Sequence, residues 1–184
     1  MIKLFQDSDI KIVGDRPSED VKREKLKNEQ LEVDLSKEDI KKAKQWGRKI
    51  AESFIEDVKE NLISDEQDSE NMAIQRRLLL SFTATVGFDQ FCENDSLSGI
   101  AEKSFLDSIR EADSKLYTTS ADTGAFSFYY LAFRRGGDIE RRMGQTFAML
   151  CSHDGDPIYQ ELGEALYCWF LSVVKKAGQD IGIQ

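Results

Sequence analysis

From Ser36 onward, apolar side chains recur at the spacing of an α-helix along most of the chain. Ser36 stands three residues before Asp39, which is the arrangement of a helix-capping box. The apolar residues that follow at helical intervals are Ile40, Ala43, Gly47, Ile50, Ala51, Phe54, Ile55, Val58 and Leu62. This pattern predicts a first helix that packs one face against a core and exposes a lysine-rich face to solvent.

Two later stretches are apolar on nearly every side of the helix that they predict. The first, LLLSFTATVGF, belongs to a helix from about Met72 to Cys92, which we expect to be buried centrally. The second, FSFYYLAFRR, ends at Gly136 and Gly137, which suit a left-handed helix end. Its aromatic residues are more typical of a core than of a cofactor pocket, although the two tyrosine hydroxyls need partners. These residues are Phe126, Phe128, Tyr129, Tyr130 and Phe133.

Three helices with one apolar stripe each complete the pattern. The first begins after caps at Ser96 to Ser98 and runs to about Tyr117. The second is capped by Asp138, and the third is opened by Pro157 and ended by Gly178. The chain shows no internal repeat of about 20 to 50 residues. The sequence therefore predicts an all-α fold, a compact single domain of about six helices in a bundle-like or orthogonal arrangement.

The N-terminal residues differ from the rest of the chain. IKLF and IKIVG, within residues 1–14, are short alternating stretches that suit an extended arm. Residues 15–34 carry charges of both signs and only four aliphatic side chains, too few to offset the entropy of ordering the segment. We expect a charged, partly extended or mobile N-terminal arm over residues 1–35 and a helical domain over residues 36–184.

Composition narrows the classes of partner. The formal net charge of −9 makes the protein acidic and disfavours nucleic acid and anionic membranes as partners. The apolar runs are shorter than the roughly 20 residues that a membrane span requires. Cys92, Cys151 and Cys168 lack the spacing of a metal site and fall within apolar helical stretches. We therefore expect reduced thiols and a cytoplasmic protein with no membrane association.

His153 is the only histidine of the chain, which argues against several catalytic sites. Di-iron helical bundles, HD-type phosphohydrolases and zinc proteases each need two or more histidines. We interpret SHDGD, residues 152–156, as a turn in which Gly155 takes a positive φ and Asp156 caps the next helix. No GxxxxGK[ST] loop is present, nor a GxGxxG after a strand, and the sequence predicts no cofactor and no metal.

Four arginines flank the glycine pair: Arg134 and Arg135 before it, Arg141 and Arg142 after it. The planar guanidinium suits bidentate hydrogen bonds to carboxylate or phosphate, and the preference for arginine in the middle helices predicts fixed ion pairs there. The favoured interpretation pairs the four with protein carboxylates, because the chain has surplus acid; the candidates are Asp138, Glu140, Glu161 and Glu164. Under the other interpretation, the arginines combine with backbone N–H groups at a helix start to hold an anion.

Two functions follow from these features. The preferred hypothesis is a non-enzymatic binding or regulatory protein that engages another protein, with a homodimer left open. The alternative is a small-molecule binding protein or enzyme whose pocket holds an anionic ligand. Its ligand-binding candidates are Arg134, Arg135, Arg141, Arg142, Tyr129, Tyr130 and His153. A deep apolar cavity with convergent arginines and tyrosines favours the alternative, whereas a solid core with an exposed apolar groove favours protein binding.

Overall fold

The computed structural model of the protein describes residues 35–60, 67–120 and 126–183. Over these ranges the chain forms seven helices and no strand, which confirms the predicted all-α class. The helices are α1 (Lys37–Glu60), α2 (Gln67–Phe91), α3 (Asp95–Ala112), α4 (Ser114–Ser120), α5 (Ser127–Arg134), α6 (Ile139–Leu150) and α7 (Pro157–Ile181). The chain divides into the units Met1–Leu35 and Ser36–Gln184, and all seven helices lie in the second. The predicted arm lies outside the described residues apart from Leu35, and Leu62 lies outside them as well.

Several helix ends lie where the capping residues predict them. The Ser36 hydroxyl accepts a hydrogen bond from the Asp39 N–H at 3.1 Å and donates one to the Asp39 carboxylate at 2.7 Å. At the start of α7 the Asp156 carboxylate accepts a bond from the Ile158 N–H at 2.8 Å. These bonds satisfy N–H groups that a helix cannot satisfy internally, so the side chains fix where α1 and α7 begin.

The described residues form seven helices rather than the predicted six, because the helix predicted to run to about Tyr117 is interrupted at Asp113. The Asp113 carboxylate accepts hydrogen bonds from the N–H groups of Lys115 and Leu116, at 2.8 and 3.1 Å, and so starts α4. The predicted caps at Ser96 to Ser98 are also wrong, since Asn94 caps α3 and Ser98 is buried inside it. A buried serine that donates to Asp89 is a packing residue, not a cap.

Two further boundaries differ from the prediction. Helix α2 begins at Gln67, five residues before Met72, because its first turn is polar and carries no apolar signal. Gly178 does not end α7, which continues to Ile181 and is closed by Gly182 at a φ of +77°. Gly178 instead packs against the Trp46 ring, where an added Cβ would lie 3.1 Å from ring carbon atoms.

Helix α2 forms the centre of the core, as its apolar pattern predicts. Every residue from Leu78 to Ala84 is buried. The helix packs against α7 and α3, and Phe82 carries its contact with α5. The Trp46 indole N–H donates to the Val174 carbonyl at 2.9 Å, which joins α1 to α7 through a satisfied polar group inside the core. None of the described helices has the length and apolar character needed to cross a membrane.

Helices α6 and α7 cross at close range because glycines stand at their contact. An added Cβ on Gly144 would clash with the Gln160 carbonyl, and one on Gly163 would clash with the Phe147 ring. Met143 and Phe147 are buried on the side of α6 that packs inward. The close crossing fixes Gln160 of α7 beside the middle of α6, at the edge of the candidate site.

Candidate functional site

Helix α5 is a ridge with an apolar exposed surface. Tyr129 and Ala132 are buried on its inner side, whereas Phe128, Tyr130 and Leu131 are 53, 52 and 56 % exposed. The prediction of a core role for the aromatic series is therefore confirmed for Tyr129 and wrong for Phe128 and Tyr130. The physical reason is that, among the described residues, α5 packs mainly against one helix, α6, so a helix that is apolar all round leaves part of its surface in water.

An apolar groove of about 640 Å³ lies on one side of α5, between it and α2. Most of its wall area is apolar and comes from aromatic and aliphatic side chains, while half of the residues that line it are polar or charged. The residues that line it are Phe82, Thr85, Val86, Asp89, Gln90, Phe126, Ser127, Tyr130, Phe133 and Arg134. The Arg134 guanidinium lies 5.6 Å from the centre of the Tyr130 ring, within the range of a cation–π contact. This side of the ridge combines an apolar wall with one cation, Arg134, and one carboxylate, Asp89.

A polar cleft of about 290 Å³ lies on the other side of α5, where α6, α7 and the loop before α7 meet it. Arg135, Arg142 and Asp154 are the charged residues that line this cleft. The remaining lining residues are Gln145, Thr146 and Gln160, which are polar and uncharged, and Ala132 and Met149, which are apolar. The cleft is smaller than the groove and has a different chemistry.

The four predicted arginines are thus divided among three places. Arg134 lines the groove, Arg135 and Arg142 line the cleft, and Arg141 lines neither. Among the described residues, no carboxylate lies within the 4.0 Å of an ion pair with any of the four. The favoured pairing with Asp138, Glu140, Glu161 and Glu164 is therefore wrong for this part of the chain. An exposed guanidinium stays hydrated and gains little from a surface ion pair, so surplus acid does not ensure pairing.

The glycine pair between α5 and α6 is a helix junction, as predicted. Gly136 and Gly137 both have a positive φ, at +65° and +74°, and Asp138 caps α6 by accepting a bond from the Arg141 N–H at 3.2 Å. A fixed ion pair of the kind expected in the middle helices is found at Arg76 of α2, and not at the glycine pair. The Arg76 guanidinium donates two bonds to the Asp57 carboxylate, at 2.9 and 2.6 Å, and ties α2 to α1.

His153 belongs to the turn that the sequence predicts. Gly155 has a φ of +79°, and the ring of His153 stacks on Tyr159 with the ring centres 3.8 Å apart. The His153 N–H donates to the Ala148 carbonyl at 2.9 Å. The side chain lines neither the groove nor the cleft, so the structure does not bring it together with the arginines.

Tyr129 lies in the core and lines neither site. Burial raises the pKa of its hydroxyl, to which the nearby Cys151 contributes, and burial raises the pKa of the Cys151 thiol to about 12. The Tyr129 hydroxyl has no hydrogen-bond partner within the described part of the chain. Both groups stay protonated at neutral pH, which is unfavourable for a nucleophile or a base.

Sequence reasoning missed the polar side chains of the cleft. Gln145 and Thr146 lie on α6 three and four residues after Arg142, the spacing that places side chains on one face of a helix. That spacing was a usable signal. Gln160 and Asp154 come from other segments, and no pattern in a single sequence places them beside Arg142.

Comparison of the chain with protein-family models, curated proteins and solved structures found no match. In the described ranges, no group of three or more His, Cys, Asp or Glu side chains is arranged to hold a metal ion. The candidate binding surfaces of the domain are therefore the groove, the cleft and the ridge between them.

Proposed function

We propose that the domain is a non-enzymatic binding protein that holds an amphipathic helix of a partner protein against α5 and the apolar groove. One observation carries the proposal. Of the seven large hydrophobic side chains found exposed in the described residues, three lie on the eight-residue helix α5. Scattered exposed apolar residues are ordinary, but a concentration beside an apolar groove is typical of a docking surface.

The groove suits a helical partner. Its walls are contributed by two helices, and Phe82, Val86, Phe126 and Phe133 supply apolar surface over about 640 Å³. An amphipathic helix places apolar anchors at positions i, i+3 or i+4, and i+7 into such a groove. Its docking would remove the apolar surface of the groove and ridge from water, which is the main favourable term in protein association.

The charges around α5 favour an acidic partner. Arg134 at the groove is exposed and has no carboxylate within ion-pair distance in the described part of the chain. The carboxylate that lines the groove, Asp89, accepts a hydrogen bond from the Ser98 hydroxyl. Asp or Glu residues beside the apolar anchors of the partner would meet the Arg134 guanidinium and fix the orientation of the partner helix.

A second copy of the chain fits this surface less well. Helix α5, SFYYLAFR, contains no carboxylate. Two α5 ridges packed together would bury their apolar side chains but offer Arg134 no acidic group from the facing α5. We therefore commit to a different protein as the occupant and treat a homodimer as an outcome of the test.

The test selects helical peptides from a display library on the purified protein and measures their affinity by calorimetry. We expect the selected peptides to carry apolar residues at helical spacing next to Asp or Glu. Leu131→Ser and Arg134→Gln should each weaken binding by about tenfold or more, since a central contact contributes at least about 1.4 kcal/mol. Ile158→Ser is the matched control, because Ile158 is 75 % exposed but lies on α7, outside both α5 and the groove lining.

Three results would contradict the proposal. Peptides that bind equally well to wild type and to Leu131→Ser would show that α5 is not the docking surface. An equal loss of affinity in Ile158→Ser would show that the selected peptides bind exposed apolar side chains non-specifically. A dimer in light scattering that Leu131→Ser dissociates would show that a second copy occupies the ridge.

A further inference from the structure

We propose that the polar cleft binds a small acidic amino acid, a ligand with two carboxylates and one ammonium group. The inference goes beyond the proposed function and does not depend on it. Helix α5 and its two flanking residues contribute Ala132 and Arg135 to the cleft and a different set of residues, including Phe126, Phe133 and Arg134, to the groove. Either site can therefore be occupied without the other.

Two guanidinium groups supply the positions for two carboxylates. Arg135 follows the end of α5 and Arg142 lies in α6, so the fold brings cations from two elements to one cleft. Neither is within ion-pair distance of a carboxylate among the described residues. Each guanidinium can hold one carboxylate through two parallel hydrogen bonds, so the pair suits a ligand with two carboxylates.

The remaining polar groups add a third point of recognition. Asp154 is the one carboxylate that lines the described cleft, and it offers an acceptor for an ammonium group. Two guanidinium groups and one carboxylate leave the cleft with a net charge of +1. A ligand with two carboxylates and one ammonium has a net charge of −1, so the two are complementary in sign and in number of charged groups.

Size and shape restrict the ligand further. A volume of about 290 Å³ lies at the lower limit of small-molecule pockets, which begin near 300 Å³. Ala132 and Met149 add apolar lining that suits one or two methylene groups between the charged ends. The close crossing of α6 and α7 at Gly144 and Gln160 holds Arg142, Gln145, Thr146 and Gln160 on packed helices. Preorganisation of this kind reduces the entropy cost of binding.

The test is calorimetric titration of the full-length protein with L-glutamate and L-aspartate. The comparison ligands are glutarate, which lacks the ammonium group, L-glutamine, which lacks the second carboxylate, and inorganic phosphate. We expect saturable binding of at least one acidic amino acid and binding weaker by about tenfold or more for each comparison ligand, because each leaves a charged group of the cleft without its partner.

Three variants of the cleft assign the contacts. Arg135→Gln and Arg142→Gln should each weaken binding of the acidic amino acid by about tenfold or more. Asp154→Asn should weaken binding of the acidic amino acid. Binding of glutarate should stay the same or become tighter, because the substitution removes a carboxylate that repels this dicarboxylate. Arg141→Gln is the matched control, since Arg141 lies on α6 next to Arg142 and lines neither the cleft nor the groove. The melting temperature of each variant without ligand confirms that it is folded.

The proposal is overturned by any of four results. These are no saturable heat with either acidic amino acid, binding that survives both cleft arginine variants, an equal loss in the Arg141→Gln control, and glutarate or phosphate binding as tightly as the acidic amino acids. The last result would show that the cleft binds anions in general and does not recognise the ammonium group.

Discussion

Helices α2 and α5 have the same kind of sequence and opposite surroundings. LLLSFTATVGF in α2 and FSFYYLAFRR around α5 are both apolar on nearly every side. Helix α2 has 25 residues, contacts neighbours on several sides and buries every residue from Leu78 to Ala84. Helix α5 has eight residues and leaves Phe128, Tyr130 and Leu131 about half exposed. An all-round apolar pattern therefore predicts a helix whose surface is unfavourable in water on every side. The arrangement of the other helices determines how much of that surface is buried within this chain.

The largest difference should appear when one leucine is truncated in each helix. Leu79→Ala in α2 empties a fully buried position and should cost about 2 to 5 kcal/mol of unfolding free energy. Leu131→Ala in α5 should change the unfolding free energy by about 0.5 kcal/mol or less, because its side chain is already 56 % exposed. Urea unfolding followed by circular dichroism measures both. Equal costs would show that Leu131 is covered in solution by another part of the protein.

Alkaline pH should act on the buried side of α5 and not on the buried stretch of α2. Burial raises the pKa of the Cys151 thiol from about 9 to about 12 and also raises the pKa of Tyr129, whereas Leu78 to Ala84 contain no titratable group. The unfolded chain loses the thiol proton near pH 9 while the folded chain keeps it, so deprotonation favours unfolding. Stability is fully present below pH 9 and should fall as the pH rises toward 12.

Urea unfolding at a series of pH values measures this loss. Cys151→Ala should give a shallower decline of the unfolding free energy above pH 9 than the wild type, whatever its stability at neutral pH. Cys92→Ala, at a buried thiol just beyond the end of α2, serves as the matched control. A decline that is identical in wild type and Cys151→Ala would mean that other groups govern alkaline unfolding.

The smallest effect concerns one buried hydroxyl in each helix. Ser81 of α2 and Tyr129 of α5 are buried, and neither hydroxyl has a hydrogen-bond partner within the described residues. A buried polar group without a partner is destabilising, so Ser81→Ala and Tyr129→Phe should leave stability unchanged or raise it by up to about 1 kcal/mol. Thermal unfolding of the two variants measures the change. A loss of more than about 1 kcal/mol in either would show that the hydroxyl is bonded in solution.

The parts of the fold that local chemistry determines were predictable from the sequence. Ser36, Asp138 and Asp156 each cap the helix that follows, because a short polar side chain at that position satisfies backbone N–H groups. The break at Asp113 was not predicted, since the apolar stripe of α3 continues in phase into Leu116 and hides the boundary. The polar start of α2 was missed because apolar periodicity cannot register a turn that has no apolar residue.

The candidate site was predicted in composition but not in arrangement. The sequence singled out Arg134, Arg135 and Arg142, yet it did not separate the first two. Consecutive residues of an α-helix point about 100° apart, so neighbours in sequence can line different cavities. Which cavity each one lines depends on where α2, α6 and α7 pass α5, and that is a property of the tertiary fold.

Because α5 contributes a wall to both cavities, the groove and the cleft share one helix. The helix is followed by Gly136 and Gly137, whose positive φ angles are accessible to glycine without strain. A rotation of α5 about its own axis that widens one cavity moves the lining of the other in the same step. If the proposed peptide and the proposed acidic amino acid hold α5 in different positions, the difference is a coupling free energy. Its value is the same whether the peptide alters the affinity for the amino acid or the amino acid alters the affinity for the peptide.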